Sequence, residues 1–239
     1  MSNPAVPAAL LQWLRTHNRD EAIINHKVLV SLDWWNRQPE TANHPLTGIA
    51  DDGSVTTQGR AWIRRGDLFN MAAQPQTEDP LPLLWSAVAW GTGTRHRLNL
   101  KRIDAVYQDL PRAEGILRSA YIDASTSARD GYTSMRGPRN TNAFKFLGPA
   151  FFTKVLYFAG AGDPGHPCLI VDDRVLATLR AEAGPDDKRF SYRYGYPVST
   201  YESAVNVMQD WASTAADDLG REIAADEVER WAFEANGKE

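Results

Sequence analysis

The most apolar segment of the chain, residues 143–159, constrains the fold more than any other. It is rich in aromatic residues, is interrupted by the pair Gly148-Pro149, and carries a lysine, Lys154, in its second half. Large aromatic and aliphatic side chains are mostly buried in folded proteins. We therefore expect this segment to form a helix of the core after the Gly-Pro pair, with other segments packed around it.

Most other apolar residues recur at helical spacing, and few segments alternate as strands do. The predicted helices are residues 7–16, 60–71, 83–90, 98–122 with a break at Pro111, 201–216 and 226–235. Residues 36–58 and 123–141 are polar and rich in turn formers, so we expect surface loops there. These patterns predict an all-α, or at least mostly helical, protein with two helical lobes around a cleft.

Positive charge is concentrated in the middle of the chain. Residues 91–154 hold 11 basic and 5 acidic side chains, a net charge of +6, whereas the rest of the chain has a net charge of −10. The overall charge of −4 argues against nucleic acid as a partner. A local basic face, however, is what a phosphate backbone attracts. A solvated helix surface would show the same imbalance, so the charge pattern leaves both interpretations open.

Several kinds of site are disfavoured by composition and motifs. The single cysteine, Cys168, excludes an intrachain disulfide and four-cysteine zinc or iron–sulfur sites. The histidines show no metal-binding spacing such as HExxH, and no GxSxG motif is present. Residues 160–165 match GxGxxG, but Pro164 favours a turn over a dinucleotide-binding helix. We expect neither a metal nor a cofactor.

A lysine within an aromatic segment permits two interpretations. In the first, Lys154 lays its aliphatic stem on apolar surface and extends its ammonium group to water. In the second, the side chain is partly desolvated, which favours the neutral amine and makes it a usable nucleophile. The residue taken alone does not decide between them.

Asp172 is the second candidate. It ends the apolar run 169–171 and precedes a helical pattern, so it is suited to cap that helix. Eighteen positions separate it from Lys154, with a turn containing glycine and proline between them. This layout can return the chain so that an ionised Asp172 faces the helix that bears Lys154. A neutral amine beside a fixed carboxylate suits attack on a sugar C1′ carbon with oxocarbenium character.

Two segments resemble the helix-hairpin-helix DNA glycosylase superfamily. Residues 148–154 read Gly-Pro-Ala-Phe-Phe-Thr-Lys, and residues 169–174 read Leu-Ile-Val-Asp-Asp-Arg. In bifunctional members a hairpin precedes the catalytic lysine, and an aspartate opens a later helix. The chain is more closely similar to bacterial proteins with an 8-oxoguanine DNA glycosylase fold. It differs from the usual hairpin pattern, Leu-Pro-Gly-Val-Gly-x-Lys, at Ala150 and Phe152, where glycines are common.

The resemblance implies roles for individual residues. Lys154 would be the Schiff-base nucleophile on C1′, and Asp172 would promote its deprotonation and stabilise the cationic sugar. Strand cleavage by β-elimination would follow, as in bifunctional members. The expected DNA contacts are Arg139, Lys145, Gly148, Thr153 and Arg174. The expected base pocket comprises Phe151, Phe152 and Trp211, because an extruded base stacks on aromatic side chains.

We therefore expect a DNA glycosylase that acts as a monomer on an oxidised or otherwise modified purine in duplex DNA, with accompanying lyase activity. Two alternatives stay open. The chain could be a catalytically silent helical module of the same fold that binds DNA or another partner. It could also be a glycosylase that excises modified bases from foreign DNA in defence.

The expected organisation is one glycosylase-like domain over residues 1–239. Residues 1–90 would form an N-terminal helical part, 91–180 the hairpin and catalytic part, and 181–239 the C-terminal helices. No apolar run reaches the roughly 18 residues that a membrane span requires. The start of the sequence lacks the basic-then-apolar pattern of a secretory signal. We expect a cytoplasmic, nucleoid-associated protein.

Overall fold

A computed structural model describes residues 4–41, 43–73, 79–137, 139, 141–184, 187–192 and 195–236. The α-helices of these residues are α1 (Ala8–Thr16), α2 (Leu32–Asn36), α3 (Arg65–Ala72), α4 (Leu81–Thr92), α5 (Asn99–Tyr107), α6 (Leu110–Ala124), α7 (Ala128–Ser134), α8 (Pro149–Phe158), α9 (Asp173–Ala183), α10 (Val198–Leu219) and α11 (Ala225–Ala235). The described residues also include a π-helical turn (Asp20–Ile24) and a 3-10 turn (Pro39–Thr41). The mostly helical fold predicted from the sequence is confirmed.

The N-terminal part also contains a small antiparallel sheet, which the sequence pattern did not reveal. Its strands are β1 (Lys27–Ser31), β2 (Gly48–Ile49), β3 (Val55–Thr56) and β4 (Arg60–Arg64), in the order β1-β4-β2-β3. The predicted helix over 60–71 is therefore wrong in its first half, and the predicted loop over 36–58 contains two short strands. The buried and more exposed residues of β4 alternate over only five positions, too few to stand out against the adjoining helix.

The middle of the chain agrees with the sequence at one point and differs at another. The predicted break in the helical pattern over 98–122 is present: α5 ends before Asp109, which caps α6 by accepting a hydrogen bond from the backbone N–H of Arg112, and Pro111 lies in the first turn of α6. The predicted loop over 123–141 contains α7, capped by Ser127; residues 138 and 140 lie outside the described residues. No helix among the described residues is long and apolar enough to cross a bilayer.

Helix α8 lies in the core, as its composition predicts. Pro149 occupies its first turn, where the missing N–H costs no hydrogen bond, and most of its residues are buried. It contacts α3, α4, α6 and α7. At Gly160, just beyond its end, a Cβ would lie only 2.2 Å from the ring of His166. The GxGxxG segment is therefore a tight turn after a helix, as predicted.

Candidate active site

A pocket of about 370 Å³ lies beside α8 and the start of α9, within the size range of small-molecule sites. Lys154 and Asp172 both line it, and each is 7% exposed. Nζ of Lys154 lies 3.4 Å from Oδ2 of Asp172 and donates a 2.8 Å hydrogen bond to the carbonyl oxygen of Ala150. The structure thus brings together the two side chains that the sequence singled out.

The helix that follows Asp172 holds its carboxylate in place. Oδ1 accepts hydrogen bonds from the backbone N–H groups of Arg174 at 3.1 Å and Val175 at 3.2 Å. The predicted N-cap is confirmed. The positive end of a helix favours a charged carboxylate. Because Oδ1 is used by the cap, Oδ2 is the oxygen directed toward Lys154.

Thr153 ties α8 to the segment that precedes Asp172. Its hydroxyl donates to the carbonyl oxygen of Pro149 at 2.8 Å and accepts from the N–H of Val171 at 3.2 Å. Tyr196 donates a further hydrogen bond of 2.6 Å to the carbonyl oxygen of Val171. Thr153 is fully buried, which does not fit the DNA contact predicted for it. The residue instead sets the spacing between the two elements that carry the pair.

The other predicted DNA contacts differ in exposure. Arg139 and Lys145 are exposed, and Gly148 is half-buried at the N-cap of α8. The guanidinium of Arg174 lies 3.9 Å from the ring centroid of Phe233, and its Nε is buried without a hydrogen-bond partner. Arg139 and Lys145 are thus accessible, whereas Arg174 supports the pocket-lining ring of Phe233.

None of the three aromatic residues predicted for a base pocket lines the pocket that contains Lys154. Phe151 is half-buried and packs against the guanidinium of Arg102, 3.9 Å from its ring centroid. Phe152 is fully buried and Trp211 is 1% exposed, and neither lines the pocket that contains Lys154. Both rings pack in the hydrophobic core. Helical spacing in the sequence does not distinguish a core residue from a residue of a pocket wall.

Most of the pocket wall comes from residues to which the sequence assigned no role in the pocket. Trp90 and Phe233 supply aromatic surface, His26 and Arg65 supply polar groups, and the exposed Arg95 also lines the pocket. These residues come from four separate segments of the chain, around positions 26, 65, 90–95 and 233. Within the described ranges, no group of three or more His, Cys, Asp or Glu side chains is placed to hold a metal ion.

A buried ion pair supports one wall of the pocket. Nη1 of Arg65 donates to Oε2 of Glu229 at 2.8 Å and to the hydroxyl of Tyr157 at 3.2 Å. Tyr157 in turn donates to Asp226 at 3.0 Å. Burial raises the pKa of Glu229, and the charge of Arg65 opposes that shift. The network joins α3, α8 and α11, so the wall rests on elements that are fixed relative to one another.

Comparison with known proteins places this arrangement in a family. No curated protein and no solved structure shows a significant match to the chain. A family model described as "putative 8-oxoguanine DNA glycosylase OGG-like protein" matches residues 21–233. That range includes the pocket, the buried ion pair and both elements of the Lys154–Asp172 pair. Because the match covers most of its length, the chain belongs to the 8-oxoguanine DNA glycosylase OGG-like family.

Proposed function

We propose that this chain is a DNA glycosylase with accompanying lyase activity, in which Lys154 attacks the sugar of a modified purine nucleotide. The observation that carries the proposal is the 3.4 Å approach of the Lys154 Nζ to the Asp172 Oδ2 in the wall of an open pocket. Membership of the family supports DNA base excision as the class of reaction.

The chemistry begins with deprotonation of the Lys154 ammonium, and Oδ2 of Asp172 is the acceptor beside it. The free amine forms a bond from Nζ to C1′ while the bond from C1′ to the base breaks. The base leaves with the electron pair and gains the proton that Asp172 had accepted, which restores the Asp172 carboxylate. Ring opening then gives a Schiff base, and loss of a C2′ proton expels the 3′ phosphate. The Asp172 carboxylate stabilises the positive charge that develops on the sugar.

The pocket is suited to an extruded base. Enzymes that act on a base in a duplex rotate the nucleotide out of the stack and hold the base against aromatic side chains. Trp90 and Phe233 line the same pocket as Lys154. In this proposal they take the role that the sequence assigned to Phe151, Phe152 and Trp211.

The basic middle segment supplies an exposed surface for phosphate groups. Arg95 lines the pocket, and Lys101 and Lys145 lie on the ring of Phe146, 5.4 Å and 5.2 Å from its centroid, in the connection before α8. Arg102, in contrast, is buried and donates to the carbonyl oxygen of Phe146 at 3.0 Å. We therefore assign the exposed cations to DNA and Arg102 to the support of the connection. Duplex affinity should fall steeply with salt.

The test is an excision assay on labelled duplexes that carry 8-oxoguanine, formamidopyrimidine-guanine, hypoxanthine, a modified purine found only in foreign DNA, or a preformed abasic site. We expect release of at least one modified purine and a covalent adduct after borohydride reduction. Duplex binding with no base release and no adduct, even at the abasic site, would instead indicate a catalytically silent module. Release confined to the modified bases of foreign DNA would indicate a role in defence.

Replacement of Asp172 by asparagine is expected to slow excision by about 100-fold, because the proton acceptor and the negative charge beside the sugar are lost. Asparagine retains a side-chain oxygen that can cap α9, so the fold and duplex affinity should change little. Single-turnover excision and a binding titration measure the two effects. Asp173→Asn, at the exposed neighbouring position, is the matched control. Unchanged excision in Asp172→Asn would contradict the role assigned to this carboxylate.

Gly91 gives the Lys154 side chain its space. A Cβ at position 91 would lie 2.9 Å from Cδ and 3.2 Å from Cε of Lys154. Gly91→Ala should therefore displace the amine and slow adduct formation at an abasic site by about tenfold, since small misplacements of reacting groups are costly. Stability should change little, because the clash involves a flexible side chain. Gly115→Ala, where no atom lies within 4 Å of the added carbon, should leave the rate unchanged.

A further inference from the structure

His26 reaches the pocket through the geometry of the sheet. Strands β1 and β4 are antiparallel, with Lys27 opposite Arg64. One step beyond this ladder, the backbone N–H of Arg65 donates to the carbonyl oxygen of His26 at 2.9 Å. The His26 ring then lies edge-to-face on Trp90, with 5.2 Å between ring centroids. The pocket residues His26 and Arg65 are thus held against α4, the helix that carries Trp90.

Arg65 determines which ring nitrogen of His26 carries the proton. Its Nε lies 3.2 Å from Nδ1 of His26. A guanidinium can only donate, so Nδ1 is the acceptor and the proton of the neutral ring is on Nε2. Burial, together with the positive charges of Arg65 and Arg230, lowers the pKa of His26 to about 2. The ring therefore stays neutral at physiological pH, with a single N–H donor.

This donor is accessible, and the residue that carries it lines the pocket. Nε2 of His26 has no hydrogen-bond partner among the described residues, and it is not enclosed by protein atoms. The half-buried side chain lines the same pocket as Lys154 and Asp172. A fixed N–H group in a pocket wall favours a molecule with an acceptor at that point and disfavours one that leaves the donor unpaired.

We infer that His26 is a specificity-determining residue, whose Nε2–H donates to a keto oxygen or an unprotonated ring nitrogen of the extruded base. The inference rests on the proposed function and narrows its substrate class to bases with such an acceptor facing this wall. Lys154 and Asp172 act on the sugar, so His26 contributes to recognition of the base and not to the chemistry at C1′.

An abasic duplex separates recognition from chemistry, because it has no base for His26 to contact. His26→Phe keeps a ring against Trp90 but removes both nitrogens, and His26→Gln restores an N–H group. We expect His26→Phe to excise the base about tenfold more slowly than the wild type. The comparison uses the 8-oxoguanine duplex and whichever duplex of the excision assay the wild type cleaves fastest. His26→Gln should recover part of that loss. Adduct formation at the abasic site should stay within about twofold of wild type for both variants.

Three outcomes would overturn the inference. Equal slowing on the abasic and base-containing duplexes would show a structural role for His26, and unchanged excision would show that no base contacts it. A wild-type protein that forms no adduct at an abasic site would contradict the proposed function itself, and the inference with it. If thermal melting shows that His26→Phe is unfolded, His26→Asn replaces it in the comparison between the abasic and base-containing duplexes. Its side-chain oxygen can still accept from Arg65, while its amide is too short to replace Nε2–H.

Discussion

Lys154→Gln is expected to abolish the adduct trapped by borohydride at an abasic site and to slow base release by about 1000-fold. An amide has no nucleophilic electron pair on nitrogen, so neither the bond to C1′ nor the Schiff base can form. Glutamine can still donate toward Ala150 and Asp172, which limits the loss of stability at this buried position. Gel separation of the reduced complex, and base release measured in a single turnover, give the two rates.

Lys101→Gln is the matched control, because it removes one positive charge from the same basic segment at an exposed position. It should weaken duplex binding slightly and leave the adduct in place. An adduct that persists in folded Lys154→Gln would show that another amine is the nucleophile. Base release without an adduct in that variant would assign the attack to a water molecule activated by Asp172.

The second large effect concerns stability. Glu229→Gln leaves the guanidinium of Arg65 buried without its charged partner, and both side chains of this pair are at most 2% exposed. Removal of one partner of a buried ion pair costs about 3 kcal/mol of unfolding free energy. For a protein of 239 residues this corresponds to a fall in Tm of roughly 10 °C. Differential scanning calorimetry or a dye-based melting curve measures it.

Glu202→Gln provides the comparison, because the Arg129–Glu202 pair is far more exposed, with 57% of the arginine side chain accessible. That variant should lose less than about 1 kcal/mol. The double variant Arg65→Met with Glu229→Leu should be more stable than Glu229→Gln, since no buried charge is left alone. Equal melting temperatures for Glu229→Gln and the wild type would contradict the importance given to this pair.

The local parts of the fold and the site could be predicted from the sequence. Helix α8 follows from its apolar composition after Gly148-Pro149, and the N-cap follows from the position of Asp172 before a helical pattern. Their approach could be anticipated because the connecting turn is short and rich in glycine and proline. Each of these inferences depends on residues close together in the chain.

The pocket wall could not be predicted, because it depends on contacts between distant segments. Trp90, Phe233 and His26 come from different parts of the chain and meet only in the folded protein. Phe152 and Trp211 lie in helical patterns, and a helical pattern does not distinguish a residue that faces the core from one that faces a pocket. Both side chains pack in the core. Short strands such as β4 give too brief an alternation to be recognised beside a helix.

The role of Lys154 as the nucleophile is tested most directly by locating the sugar remnant on the reduced, trapped complex. A modified Lys154 resists trypsin, so digestion should give one peptide spanning residues 146–174 that carries the remnant. Mass spectrometry of that peptide should place the added mass on Lys154. A remnant on any other lysine, or on the amino terminus, would contradict the proposed mechanism.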